Sequence, residues 1–147
     1  MKGVVVEVCK SSVKGVRKEP VGQCVVVEGY GLEGDSHASA DTHRQVCLLA
    51  QESIDEMVKR GFDVGPGSFA ENVTTRGLDL LAIPVGARVR VGEVLLEVTQ
   101  KGKECHDGCA VYKQTGACIA RTDAIFGRVL EGGIIRAGDM VEVEEPR

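Results

Sequence analysis

Residues 101–110 read KGKECHDGCA, a run in which a cysteine stands beside a histidine and a second cysteine follows four positions later. A cysteine in such a setting can ligate a metal, form half of a disulfide, act as a nucleophile or sulfur carrier, or simply fill a tight loop. The thiolate is the reactive form, and neighbouring positive charge lowers the thiol pKa. Lys101 and Lys103 precede Cys105, and His106 follows it. A loop-borne thiolate of this kind can attack sulfur, hold a persulfide or bind a soft metal, since all three use the same lone pair. The local sequence leaves both a functional Cys105 and a buried bystander open.

Zinc would draw on Cys105, His106, Cys109 and Cys118. Structural zinc takes paired ligands at short spacing with a second matching pair. Here one C-x3-C stands with a single further cysteine, and adjacent Cys105 and His106 point apart in an extended backbone. A redox C-x-x-C is absent. If a helix begins at Cys105, Cys109 shares its face, which allows it to be a resolving thiol; a bystander is the other reading. Cys9, Cys24 and Cys47 sit inside β-branched runs, where a free cysteine is usually a small core residue.

The other candidates are scattered. In GLEGDSHA, Asp35 and His37 are two apart and face the same way in an extended loop. His43 and Arg44 close that loop. Glu71 and Asn72 follow Gly67-Ser68-Phe69, where a turn or strand edge is the plain reading. Arg128 lies in FGRVLEGG, as a strand arginine of the ordinary solvated kind.

These residues need a scaffold of strands. Gly3–Cys9, Pro20–Glu28 and Arg44–Leu49 are predicted strands, with Gly31–Thr42 as a polar loop. Gln51–Arg60 is the one clear helix. Its apolar positions Ile54, Met57 and Val58 have i, i+3, i+4 spacing, and Gly61 stops it. Phe69–Thr75 and Leu78–Ile83 read as short extended pieces. Val85–Thr99 reads as two strands around Gly92-Glu93, and a Gly-Asp turn precedes Val141 and Val143. About seven short strands with one good helix imply a closed or nearly closed, mostly β barrel.

The chain has 147 residues with 43% apolar and 27% charged, so residues 1–147 are expected to form one globular domain. A net charge of −4 argues against broad, sequence-independent nucleic-acid binding, which needs a basic face, and leaves room for a local basic pocket that takes a small anion. Absence of Trp, with two Tyr and three Phe, also leaves little for a base-stacking surface. No apolar run is long enough to span a membrane, and the N-terminus lacks the pattern of a signal peptide. The expected location is the cytoplasm, where six cysteines are better read as thiols, ligands or nucleophiles than as disulfides.

Taken in order, several stretches resemble the MOSC family, named for the C-terminal domain of molybdenum cofactor sulfurase. They are Gly31-Leu32-Glu33-Gly34-Asp35-Ser36-His37, His43-Arg44-Gln45-Val46, Gly67-Ser68-Phe69-Ala70-Glu71-Asn72-Val73 and Gly77. Then come Gly92, Glu97-Val98-Thr99-Gln100, Cys105, Phe126-Gly127-Arg128-Val129, Gly132-Gly133 and Gly138-Asp139. The resemblance covers nearly the whole chain. It implies a mostly β fold round a barrel of the pyruvate kinase β-barrel type, with short extra helices beside the one clear helix.

The resemblance also implies a link to the molybdenum cofactor, a pterin dithiolene bearing a phosphate. In the family a cysteine after the strand ending in Thr-Gln is proposed to carry sulfur as a persulfide or to bind molybdenum. That position maps onto Cys105. By motif position, Arg44, Lys101, Lys103 and Arg128 are candidate anion contacts, and His37 and Asn72 candidate hydrogen-bonding partners of the pterin. The implied partners are a cysteine desulfurase and enzymes that build or receive the cofactor. Many relatives have Pro where this chain has Glu104, and Cys109 and Cys118 are additions of a short stand-alone branch. The extra N-terminal β domain and ferredoxin-like domain of larger relatives are not expected.

Three functions follow: a cofactor-binding or sulfur-carrying protein, a molybdenum-cofactor reductase of N-hydroxylated compounds with an outside electron donor, or a structural zinc or non-catalytic binding module. Cys105 is expected to alkylate near neutral pH faster than Cys9, Cys24 or Cys47. Equal labelling of all six cysteines by mass spectrometry would refute the low-pKa assignment.

Overall fold

The computed structural model describes residues 1–14, 16–102 and 122–144. Valine-rich runs punctuated by glycine form its strands, because β-branched side chains suit a covered, pleated surface. In chain order these are β1 (Lys2–Lys10), β2 (Glu19–Pro20), β3 (Gln23–Val27), β4 (Gly31–Leu32), β5 (Val46–Ala50), β6 (Val73–Arg76), β7 (Arg88–Val91), β8 (Val94–Lys101), β9 (Ile125–Glu131), β10 (Gly133–Arg136) and β11 (Met140–Val143). Helix α1 (Gln51–Lys59) follows β5, and a 3-10 turn spans Leu80–Ala82.

β11, β7, β8, β9, β5, β6 and β1 pair in that order, and β1 pairs back onto β11 to close a seven-stranded barrel. The closing ladder joins Lys2 to Glu142, Gly3 to Val141 and Val4 to Met140. β2 extends β1 outside the ring, and β10, β3 and β4 make a separate small sheet. β5 and β6 run parallel, and α1 lies in the crossover that a parallel pair requires. The expectation of a mostly β barrel with one clear helix holds.

The core has two compartments. Val46 and Leu48 point into the barrel among Val73, Leu96, Val98 and Ile125. Cys47 and Leu49 point outward under α1, among Ile54, Met57, Phe69 and Phe126. β5 is therefore covered on both faces, which is why it reads as an unbroken apolar run. On α1, Ile54 and Met57 are buried as expected, but Val58 is 49% exposed. Gln51 takes the third buried position.

Leu78–Ile83 is not an extended piece. Leu80 and Ile83 are three apart, so the 3-10 turn sets both on one side, and with Leu78 they join the barrel core. Gly67 has φ +88°, and a Cβ there would collide with the Lys18 carbonyl oxygen. Lys18 N donates to Gly67 O at 2.8 Å, so the chain segment before β2 lies directly against this loop.

Asn72 braces the strands just before β6. Its Oδ1 accepts from Cys47 N at 3.0 Å, and its Nδ2 donates to Cys9 O at 3.3 Å. Its own N–H and C=O bond to the same two residues. The side chain is fully buried, and an unsatisfied buried polar group costs about 1–3 kcal/mol. Asn72→Ala orphans two such groups and is expected to lose about 2–4 kcal/mol in urea unfolding; a loss under about 0.5 kcal/mol would contradict the brace.

Candidate functional site

The β8–β9 ladder shifts register between Val98 and Gln100: Val98 faces Gly127 and Gln100 faces Phe126. Thr99 is thus the extra residue of a β-bulge, a device that re-aims one side chain out of the regular alternation. Its hydroxyl lies 2.8 Å from His43 Nδ1. It also stands 3.3 Å from His43 O and 3.4 Å from Phe126 O. The hydroxyl proton goes to these carbonyls, so the arrangement that satisfies all partners has His43 Nδ1–H donating to Thr99 Oγ1.

The loop preceding β5 is shaped by side chains rather than by strand pairing. Gln45 is buried. Its Nε2 donates to the carbonyls of Ser39 and Thr42, and its Oε1 accepts from Val129 N at 2.9 Å. One amide thus folds the loop and ties it to β9. Asp35 does the same at the other end. Its Oδ1 accepts from Ser11 N and from Lys18 Nζ at 2.6 Å, and its Oδ2 accepts from His37 N at 3.0 Å.

The Lys18–Asp35 pair is buried, with side chains 1% and 0% exposed. Burial opposes ionisation of Asp35. The Lys18 hydrogen bond and charge, with the Ser11 and His37 N–H groups, outweigh it and hold the carboxyl below its ordinary range. His37, anchored through its backbone, places Nδ1 4.0 Å from Asp35 Oδ2. Its ring meets Phe126 edge-on, with centroids 6.3 Å apart and planes at 77°.

These contacts bring His37 and His43 to the same end of the β8–β9 pair. Gly102 N donates to Ala124 O at 2.7 Å there, so the chain leaves the described residues at Gly102 beside the point where it returns. Lys103, Cys105 and Cys109, with His106 and Cys118, lie outside the described residues.

The remaining candidates are dispersed. Arg128 pairs with Glu97 at 2.7 Å and lines an open cleft of about 550 Å³ with His43, Thr42, Gln45 and Glu28. Arg44 is exposed, and its backbone N–H bonds Thr42 Oγ1. Lys101 Nζ donates to Leu81 O at 2.7 Å, on the side of the barrel mouth where the 3-10 turn lies. Both atoms of the Asn72 side-chain amide bond backbone groups, those of Cys47 and Cys9.

Sequence reasoning gave no site role to Lys18, Thr99 or Gln45. Lysine is among the residues least often buried, and nothing in its neighbours marks Lys18 as an exception. The cysteines of the strands behave as core residues. Cys9, Cys24 and Cys47 are buried, and burial pushes the Cys9 and Cys24 thiols up, with Glu71 and Glu7 adding to the effect at Cys9. Among the described residues no three His, Cys, Asp or Glu side chains gather as a metal site, and no helix is long and apolar enough to cross a membrane.

A closed seven-stranded barrel, one crossover helix and a polar loop pinned to a bulged strand end define a small β-barrel domain. Residues 33–142 match the MOSC domain family, and the chain belongs to it. That family is often associated with molybdenum-cofactor enzymes. Solved structures with this fold include the YuaD protein of Bacillus subtilis, at 18% identity and TM-score 0.79, covering 100% of this chain and 98% of that one. YiiM from Escherichia coli matches at 22% identity and TM-score 0.73, over 100% of this chain and 71% of that one. YiiM from Geobacillus stearothermophilus matches at 23% identity and TM-score 0.63, over 97% and 73% respectively. Comparison with curated protein sequences gives no match.

Asp35→Asn tests the buried pair. It removes the carboxylate charge that Lys18 meets at 2.6 Å and is expected to cost about 3–5 kcal/mol near neutral pH. Asp35 titrates below its ordinary value of 3.8 when folded, so its contribution is present above that value and lost as pH falls through the lowered folded pKa. The gap between wild type and variant should therefore close below pH 3.8; a gap independent of pH in urea titrations would reject the ionised pair.

Proposed function

We propose that this MOSC protein serves molybdenum-cofactor metabolism, binding the cofactor or carrying sulfur on Cys105. The observation that supports it best is the convergence of His37 and His43 on the bulged end of β8, from which the chain runs directly into the segment bearing Cys105. The donor set suits a phosphate-bearing pterin. Arg128 and His43 line one open cleft beside exposed Arg44 and would hold the anionic tail by charge-assisted hydrogen bonds, while His37 would bond the pterin edge. When bound, the group would supply a molybdenum centre whose soft ligand preference suits a thiolate.

In the carrier role the chemistry belongs to the chain. The Cys105 thiolate attacks the outer sulfur of a persulfide on a donor such as a cysteine desulfurase. A new S–S bond forms on Cys105, the donor's S–S bond breaks, and the donor departs as a thiolate. One sulfur moves and no outside oxidant or reductant enters. Lys101 and Lys103, which precede Cys105 in the sequence, would favour the thiolate.

Protein isolated from its own host is expected to carry a cyanide-labile sulfur that is lost in Cys105→Ala, with the circular dichroism of the fold unchanged. Full sulfur or cofactor transfer by Cys105→Ala would overturn the assignment. Stoichiometric molybdenum with pterin fluorescence after denaturation would favour the reductase. One zinc, lost together with folding in Cys118→Ala, would favour the structural module.

A further inference from the structure

Thr99 leaves the β8–β9 ladder to meet one residue of a distant loop. The register breaks between Val98 and Gln100, an irregularity of the kind that re-aims side chains beside binding sites. Thr99 Oγ1 then stands 2.8 Å from His43 Nδ1 and 3.3 Å from the His43 carbonyl oxygen. His43 is exposed, so burial does not fix its ring. Gln45 folds the backbone around Thr42 and ties it to β9, but neither bond reaches the imidazole. The Thr99 hydroxyl does.

Which nitrogen of a neutral imidazole carries the proton is set by the hydrogen bond that the other makes. The Thr99 hydroxyl has two carbonyls to donate to, His43 O and Phe126 O at 3.4 Å, and therefore serves Nδ1 as an acceptor. The proton of neutral His43 stays on Nδ1, and Nε2 keeps its lone pair. Nε2 has no partner among the described residues. The ring lines the open cleft together with Glu28, Asp41 and Arg128. Arg128 is paired with Glu97, and none of these charged groups bonds the His43 ring.

We infer that Thr99 is a positioning residue for His43, holding the ring with Nδ1 protonated so that Nε2 is the nitrogen that takes and gives up a proton at the cleft. The Nδ1–H bond to Thr99 persists in the imidazolium, so His43 changes charge without turning its ring. A phosphate monoester has its second ionisation near about pH 6. Its monoanion can hand a proton to Nε2: the phosphate O–H bond breaks, an N–H bond forms, and the dianion accepts a charge-assisted hydrogen bond from Nε2–H. The opposite tautomer would turn its lone pair toward Thr99 and could take no proton from a ligand in the cleft. The choice of ligand rests on the reading of this cleft as the seat of a phosphate tail; the tautomer is tested without any ligand.

The measurement is a long-range proton–nitrogen NMR correlation on ring-labelled histidine at about pH 9, where an ordinary imidazole is neutral, with the His43 signals assigned by their loss in His43→Gln. Wild type is expected to show His43 predominantly protonated at Nδ1. Thr99→Val keeps the β-branched shape and removes the acceptor, and should move the proton predominantly to Nε2. Thr99→Ser restores the hydroxyl and should restore the wild-type tautomer. Thr99→Ala, which also lacks the hydroxyl, gives the same reading if Thr99→Val does not fold. A wild-type His43 protonated mainly at Nε2 would overturn the inference, and so would a folded hydroxyl-free variant that keeps the proton on Nδ1. Inorganic phosphate, titrated near neutral pH, should shift the His43 Nε2 resonance toward its protonated position, with affinity about three- to tenfold weaker in Thr99→Val. Tautomers as expected with a His43 that ignores phosphate would uphold the role of Thr99 and reject the cleft as the seat of a phosphate tail.

Discussion

Pairing of β1 with β11 is the constraint on which the architecture rests. It joins the first strand of the chain to the last described one and turns what would be an open sheet into a ring without exposed edges. Once closed, β1 is held on both sides, by β11 and by β6. Its far end is then fixed enough to serve as an anchor. Cys9 accepts the Asn72 amide there, and Ser11, just beyond it, donates to Asp35. Closure at one end of β1 thus limits where the loop that carries His37 can stand.

The loops around the site are held by buried polar side chains that act in place of strand partners. Asp35, Gln45, Glu71 and Asn72 are all buried, and each bonds backbone groups that no ladder reaches. Glu71 accepts from the N–H groups of Gly67 and Phe69 and from the Thr74 hydroxyl. Burial raises its pKa, with those hydrogen bonds opposing. A loop built this way takes from single side chains the hydrogen-bond partners that a strand takes from its ladder, so its geometry depends on those side chains. That suits a binding surface, whose backbone must depart from regular structure to present groups in one place.

How much of this was legible in the sequence depends on whether neighbours along the chain decide the outcome. The β7–β8 hairpin was legible because Gly92, at φ +55°, turns between two alternating segments. The α1 stop at Gly61 and the three buried cysteines of the strands were legible for similar reasons of local pattern and residue chemistry. Val58 was misplaced because helical spacing allows two faces and only the packing of Phe69 and Phe126 chooses between them. Leu78–Ile83 was misread because an apolar run of this length suits a strand or a turn, and the barrel mouth selects the turn. At the site, Asp35 and His37 were legible as a pair. The Thr99 bulge and the burial of Lys18 were not, since each depends on a partner far away in sequence: His43 for one, Asp35 for the other.

Charge shows why the site must work by placement rather than by a broad field. The chain is net negative, and several of its exposed arginines are matched locally: Arg90 with Glu131, Arg136 with Glu93, and Arg128 with Glu97. Exposed pairs of this kind contribute little to stability, yet they cancel long-range attraction for an anion. A phosphate reaching the Arg128 cleft would meet a guanidinium already shared with a carboxylate, and would gain mainly from hydrogen bonds at short range. Selectivity then rests on how well the loop from Asp35 to Gln45 keeps its shape, and that shape is set by the same buried amide and carboxylate that tie it to β9 and to the end of β1.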